Sequence, residues 1–443
     1  MDDVEEALGR LEAASSASSS SSRRHLLACC AAMRNAIADA RADAPSTDTL
    51  ALMDSLPEAL VSCRPPSIAL GAPAAAAAGG EPEPLPAALA AALGSWEFNL
   101  HEVAAADLPR LCYWAMLEHT EVVELGIDRP KLWAFVQAVA SRYRDNPFHS
   151  FRHAVDVTLG ASCLLRMLQR AGGPAADEMK SDPLFVCATL FAAMVHDTDH
   201  PGVMNPFLIA TRHPLAVLYN ERSVLENHHC ATAIALLGRP ELDFLSPLPP
   251  DKRARVRKVR RAAAPRVASP RLASRGVASP TSPHPTSPPL LASPRLTSPR
   301  LSRLQLMIGL VLATDVTTHI PFMKDFNAAV AAGTPVGAEK ATQLCLKAAD
   351  ISNPTRPIGV YETWVEGVMA EFFAQGDAEK ALGLPVSMNC DRDTVDVNKC
   401  QVGFISFIVG PIFEGFAKAV PEISEVCLKA LAANKAHYQA KAA

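Results

Sequence analysis

The chain has 443 residues and a formal net charge of −4, with 49% hydrophobic, 6% aromatic and 20% charged residues. Few aromatics beside abundant Ala, Leu and Met argue against a β-sandwich or barrel, and no apolar run reaches the ~18–20 residues of a membrane-spanning helix. Seventeen of the 36 prolines fall within 45–86 and 251–303, so what length alone would divide into two or three domains reads instead as one folded unit of roughly 300 residues.

Taken in order, residues 1–94 read as a low-complexity, mostly disordered leader. Ser15 to Ser22 is nearly pure serine, and Ala74 to Ala78 with the Glu-Pro alternation after Gly80 has no apolar period. The acidic opening Met1-Asp2-Asp3-Val4-Glu5-Glu6 has the wrong sign for a secretory or transit segment, although Arg23 and Arg24 in the serine patch leave an organelle address open. Order is expected to begin near Ser95-Trp96-Glu97-Phe98, where bulky aromatics can anchor a core. Leu111 to Leu117, Leu132 to Tyr143 and Ala154 to Leu168 then carry apolar residues at helical spacing. Leu184 to Val195 is apolar on all sides and predicts a buried central helix. Asn146-Pro147 predicts a helix start, with Asn as cap and Pro in the first position. Strands are hard to find, so the fold class is all-α.

Residues 251–303 break the pattern. They hold 13 Lys/Arg against one acid, a surplus of +12 that leaves −16 on the remainder. Six Ser-Pro pairs, at Ser269, Ser279, Ser282, Ser287, Ser293 and Ser298, sit among the arginines. Such a segment cannot bury enough apolar surface to order itself, and it predicts a basic, disordered insert. Each Ser-Pro suits a proline-directed kinase, whose phosphates would offset the charge; an inert linker accounts for the segment at least as well, and a gene-boundary error is a third reading. The 11 cysteines form no Cys-x-x-Cys pair, which with the absence of a signal segment predicts reduced, buried thiols and a cytoplasmic protein.

Histidine is where the sequence becomes specific. Seven of 13 lie between His149 and His229, six of them in the strings Phe148-His149-Ser150-Phe151-Arg152-His153-Ala154-Val155-Asp156-Val157, His196-Asp197-Thr198-Asp199-His200-Pro201-Gly202 and Leu225-Glu226-Asn227-His228-His229. His149 and His153 are one helical turn apart. Imidazoles and carboxylates are expensive to bury unless paired or bound to metal. Clustered at the ends of apolar helices such as Leu184 to Val195 and Met307 to Ala313, they suit a Zn or mixed Zn/Mg centre rather than an all-thiolate one.

These strings, with Leu218-Tyr219-Asn220, Leu312-Ala313-Thr314-Asp315, Ala349-Asp350-Ile351-Ser352-Asn353-Pro354 and Gln401-Val402-Gly403-Phe404-Ile405, resemble in order the catalytic domain of the class I 3′,5′-cyclic nucleotide phosphodiesterases, of the HD-type metal phosphohydrolase superfamily. The resemblance implies a compact multi-helix domain over 95–435, interrupted by the 251–303 insert. It implies that His153, His196, Asp197 and Asp350 hold Zn2+, and that Asp197 bridges to Mg2+, for which Mn2+ can substitute. A hydroxide activated by the two metals would attack phosphorus, and His149 would protonate the departing 3′ oxygen. His200, Glu226 and His229 would orient waters and metal ligands. Gln401 would hydrogen-bond the purine, Phe404 and Val368 would clamp its faces, and Asn353 would contact adenine, which favours cyclic AMP over cyclic GMP. The family pattern differs at Phe148, Ser150 and Gly410, where tyrosine, asparagine and histidine are usual; none of these is a ligand or the acid. Two rivals follow from the same residues: a metal phosphohydrolase of another phosphoester, and a catalytically silent cyclic-nucleotide-binding scaffold. Nothing beyond the basic insert points to nucleic acid, and no transmembrane segment is expected.

Overall fold

The computed structural model describes residues 80–250, 252–253 and 306–442, and these are helical with no strand among them. The helices used below are α1 (Leu108–Leu117), α2 (Arg129–Ala140), α3 (Phe151–Ala171), α4 (Leu184–Val195), α5 (Val224–Leu237), α6 (Leu306–Ala313), α7 (His319–Ala331), α8 (Ala338–Asp350), α9 (Ile358–Ala381), α10 (Val397–Phe404), α11 (Gly410–Ala419) and α12 (Lys429–Ala442).

The centre is α4. Every residue from Leu184 to Val195 is buried, and the helix is wrapped by α3, α6 and α8. Its all-round apolar composition leaves no solvent face, so it runs through the core. Around it, local chemistry sets the boundaries. The Asp128 carboxylate accepts from the Lys131 N–H at 3.1 Å and Pro130 follows, which starts α2. Gly172 and Gly173, at φ of 74° and 85°, stop α3 in a conformation that suits glycine. Asp396 accepts from the amides of Asn398 and Lys399 and starts α10. A π-helical stretch, Ile405–Val409, joins α10 to α11. A side chain at Gly410 would place its Cβ 2.9 Å from the Ile405 carbonyl oxygen, so the departure noted there fits this bulge.

Two expectations change, and a third is qualified. Packing begins ahead of Ser95: Leu93 is buried, Leu85 and Leu89 lie against the core, and the Glu83 carbonyl accepts from the Trp114 indole at 3.2 Å. Three leucines four residues apart were hidden among Ala, Pro and Glu. The helix carrying His153 starts at Phe151 rather than at Asn146-Pro147. Asn146 donates instead to the carbonyls of His149 and His200, at 3.0 and 2.9 Å, so His149 sits in a turn before α3. Finally, Val397–Ala419 is long and apolar enough by length and composition to cross a membrane. Here Phe413 and Phe416 enter the core, and α10 packs on α12. The bent pair of α6 and Val316–Ala331 meets the same length and composition criterion only across an 89° turn.

The eight described cysteines are unpaired, and all but Cys400 are buried. The expected disorder of the leader and of the 251–303 insert falls almost wholly on residues outside the described ones.

Candidate active site

The buried end of α4 delivers His196 and Asp197 to the interior. The Tyr143 hydroxyl fastens that end, donating to the Met194 carbonyl at 3.0 Å and accepting from the Asp197 amide at 3.3 Å. His153 comes from the first turns of α3, and Asp350 is the last residue of α8. One ligand atom from each of His153, His196, Asp197 and Asp350 lies within 4.8 Å of the others.

The cluster fits a cation on two physical grounds. His196 Nδ1 donates to the Ala193 carbonyl at 2.8 Å, so a neutral ring presents Nε2 as a bare lone pair. That nitrogen is buried and makes no hydrogen bond, although Asp197 Oδ2 and Asp350 Oδ1 stand 3.1 and 3.3 Å away. Second, two tetrahedral ligands each about 2.1 Å from one ion lie roughly 3.4 Å apart. His153 Nε2 is 3.2 Å from Asp350 Oδ1 and 3.7 Å from Asp197 Oδ2. Burial pushes both carboxyls up, yet the His196 charge outweighs it and holds Asp197 and Asp350 well below the usual range. The same carboxylates, acting against burial, raise His196 well above an ordinary histidine. A divalent cation can take the place of that proton.

Around the cluster the remaining candidates fall into place. His229 Nδ1 donates to the Thr198 carbonyl at 2.7 Å and turns Nε2 to within 3.6 Å of Asp197 Oδ1. Burial brings His229 down to about 4 and holds His200 well below its usual value, the latter also under the charge of His149. His200 stacks on His149 with ring centroids 3.9 Å apart. Glu226, in the first turn of α5, accepts from the Asn205 amide at 3.1 and 3.4 Å, and burial pushes it up to about 7.

His149 lies beside the cluster, its ring centroid 6.1 Å from that of His153. Sequence reasoning missed its partner, Glu371 on α9. Glu371 Oε1 accepts from the amides of Phe148 and His149 at 2.7 and 2.8 Å, and Oε2 meets His149 Nδ1 at 2.5 Å. Burial lowers the His149 imidazole, but the Glu371 charge and hydrogen bond outweigh it and lift the ring to about 9. The available signal was a lone acid in Ala370-Glu371-Phe372-Phe373, expensive to bury without a partner.

A cavity of about 900 Å³ opens from this floor. His149, Asp350, Asn353, Val368, Gln401 and Phe404 all line it. Gln401 is buried, and its Oε1 accepts from the Tyr361 hydroxyl at 2.7 Å, which fixes the amide. Tyr361 was also unforeseen, since nothing in its neighbourhood sets it apart from a core tyrosine. Phe148, where a hydroxyl is missing relative to the family pattern, packs with Val360, Trp364 and Val368 and pads His153 at 4.6 Å between centroids. Ser150 spends its hydroxyl on the Phe148 carbonyl, at 3.3 Å.

An all-helical body whose histidines and aspartates converge below an apolar, amide-bearing cleft defines a class of protein with a candidate metal centre facing a ligand slot. The pattern of the 3′5′-cyclic nucleotide phosphodiesterase family matches residues 148–263 and 297–431, and the chain belongs to that family. It is 32% identical over 326 residues to the probable 3′,5′-cyclic-AMP phosphodiesterase pde-4 of Caenorhabditis elegans, covering 71% of this chain and 40% of that protein. It is also 32% identical over 321 residues to the high affinity cGMP-specific 3′,5′-cyclic phosphodiesterase 9A of Mus musculus, covering 72% and 50%. The chain thus spans half or less of the length of these relatives. The phosphodiesterase domain of the Salpingoeca rosetta rhodopsin phosphodiesterase superposes with a TM-score of 0.62 at 25% identity, covering 79% of this chain and 92% of that one.

Proposed function

We propose that this chain hydrolyses 3′,5′-cyclic nucleotides to 5′-monophosphates, with cyclic AMP preferred over cyclic GMP. The observation that carries the proposal is the single cavity running from His149 and Asp350 to Gln401 and Phe404. A phosphodiester and a purine joined by one ribose need those two environments side by side.

Under this proposal His153, His196, Asp197 and Asp350 hold Zn2+, and Asp197, with His200, His229 and Glu226 around it, borders a second site for Mg2+ or Mn2+. Two divalent cations, when bound, polarise phosphoryl oxygens and make water a better nucleophile at neutral pH. The chain's own residues do the rest. Glu371 takes His149 Nδ1 and leaves Nε2–H as the donor to the departing 3′ oxygen; with the ring raised to about 9, that proton is in place at neutral pH. Phe404 and Val368 enclose the purine faces and exclude water. Gln401, held by Tyr361, offers its Nε2–H to N1 of adenine and the free lone pair of Oε1 to the adenine amino group, with Asn353 as the second amide.

The same proposal takes the catalytic domain to run from the packed leucines at 85–93 to about 435, with 251–303 as an insert whose Ser-Pro pairs are proline-directed kinase sites. It places the protein in the cytoplasm, consistent with the unpaired, mostly buried described cysteines. The test is release of 5′-AMP and 5′-GMP by purified full-length protein, before and after chelation and after return of Zn2+ and Mg2+. Metal-dependent release with cyclic AMP turned over faster supports the proposal. Nucleotide binding with no product would replace it by the silent-scaffold reading.

A further inference from the structure

We propose that Glu379, together with Gln375, is a positioning residue that sets nucleotide affinity from behind the cleft, by clamping the segment that forms its wall. This rests on the functional reading above. The wall includes Met388, Asn389, Thr394, Val395 and Asp396, all of which line the cavity. The segment has no helix of its own before α10, and Asn389 is held at a φ of 65°. Something outside the segment must therefore fix it.

That support is on α9. Gln375 and Glu379, one turn apart, are 1% and 2% exposed, and neither lines the cavity. Glu379 Oε1 accepts from Gln375 Nε2 at 2.7 Å and from the Ser387 hydroxyl at 2.6 Å, while Oε2 accepts from the Ser387 amide at 2.6 Å. The Glu379 carbonyl takes the Leu384 amide at 2.9 Å. A buried carboxylate held by hydrogen bonds is stable only while its donors stay in place, so the bonds hold the loop as firmly as they hold the acid. Gly376, between them on the helix, lets the loop press close: a Cβ there would lie 1.9 Å from the Cys390 carbonyl oxygen. On its other side Gln375 Oε1 accepts from the Met204 amide at 2.8 Å. The next residue, Asn205, donates to Glu226 and accepts from the Leu225 amide. A polar chain, buried at Gln375 and Glu379 and half-buried at Asn205, Glu226 and Ser387, thus joins the support of the metal floor to the wall of the purine slot.

The test uses the full chain with Glu379→Gln, which keeps the volume but sets an amide donor against the Ser387 or Gln375 donors. Hydrogen exchange of the amides in 384–396 is read alongside kcat and KM for cyclic AMP. We expect exchange there to quicken at least about tenfold while α4 stays protected, and KM to rise about tenfold with kcat within about twofold, the scale of a lost charge-assisted hydrogen bond. Arg170→Gln, which breaks an exposed pair with Glu422 and touches nothing in 384–396, is expected to change neither. Should Glu379→Gln fail to fold, Ser387→Ala removes one bond and is expected to raise KM about threefold. Unchanged exchange and KM, or a fall in kcat alone, overturns the proposal. A wild-type chain without turnover would sink the functional reading, while faster exchange in 384–396 of Glu379→Gln would still support the clamp.

Discussion

The floor and the wall of the cleft are built on opposite principles. The floor gathers charged groups at the ends of buried helices: His196 and Asp197 after α4, Asp350 at the end of α8, His153 at the start of α3. Each is placed by the helix behind it, and the low-dielectric surroundings make the charges depend on one another. The wall is apolar. It is placed indirectly, with Tyr361 fixing Gln401 and Glu379 fixing the loop beside it. On the proposed reading, the reacting groups stand on helix ends, whereas recognition is adjusted through Tyr361 and Glu379, which lie behind the cavity lining.

Substitutions should separate the two regions. The largest effect is expected at Asp350→Ala, which removes a carboxylate that His153 and His196 share. Zinc content of the purified variant should fall below one per chain and hydrolysis should vanish together with it. Full zinc occupancy with lost activity would mean that Asp350 is not a ligand. Next, His149→Ala should lower kcat by ~10²-fold or more, as loss of a general acid does, with metal content unchanged.

A smaller and more diagnostic change is expected at Glu371→Gln. Glu371 raises His149 to about 9, so the protonated form is present at neutral pH and is lost as pH rises through about 9. Without the carboxylate the imidazole pKa falls, and the alkaline limb of kcat/KM should move to lower pH. An unmoved limb would show that another group titrates there. The smallest effect belongs to the wall: Tyr361→Phe frees Gln401 to turn. It should reduce the ratio of cyclic AMP to cyclic GMP turnover by about fivefold, the worth of one hydrogen bond, with stability nearly intact.

How much of this was legible follows the same division. The helices α1, α3, α4 and α6 were readable because apolar spacing is a local property, and the floor residues because His and Asp at the ends of apolar runs are conspicuous. Asn146 was misread as a helix cap because the alternative, bridging His149 and His200, needs a contact 54 residues away. Glu371 finds His149 across 222 residues, and Tyr361 finds Gln401 across 40. No window along the chain contains such pairs. The start of packing near Leu85 was masked by a composition of Ala, Pro and Glu around three leucines that matter only once α1 and α3 are present to receive them.

The most direct test of a single cleft with two differently built halves is steady-state hydrolysis of cyclic AMP by His149→Ala and Phe404→Ala side by side. The account predicts that His149→Ala loses kcat with KM little changed, whereas Phe404→Ala raises KM about tenfold, within the range of base–aromatic stacking, and largely keeps kcat. Loss of the same parameter in both variants, or wild-type-like kinetics in either, would contradict it.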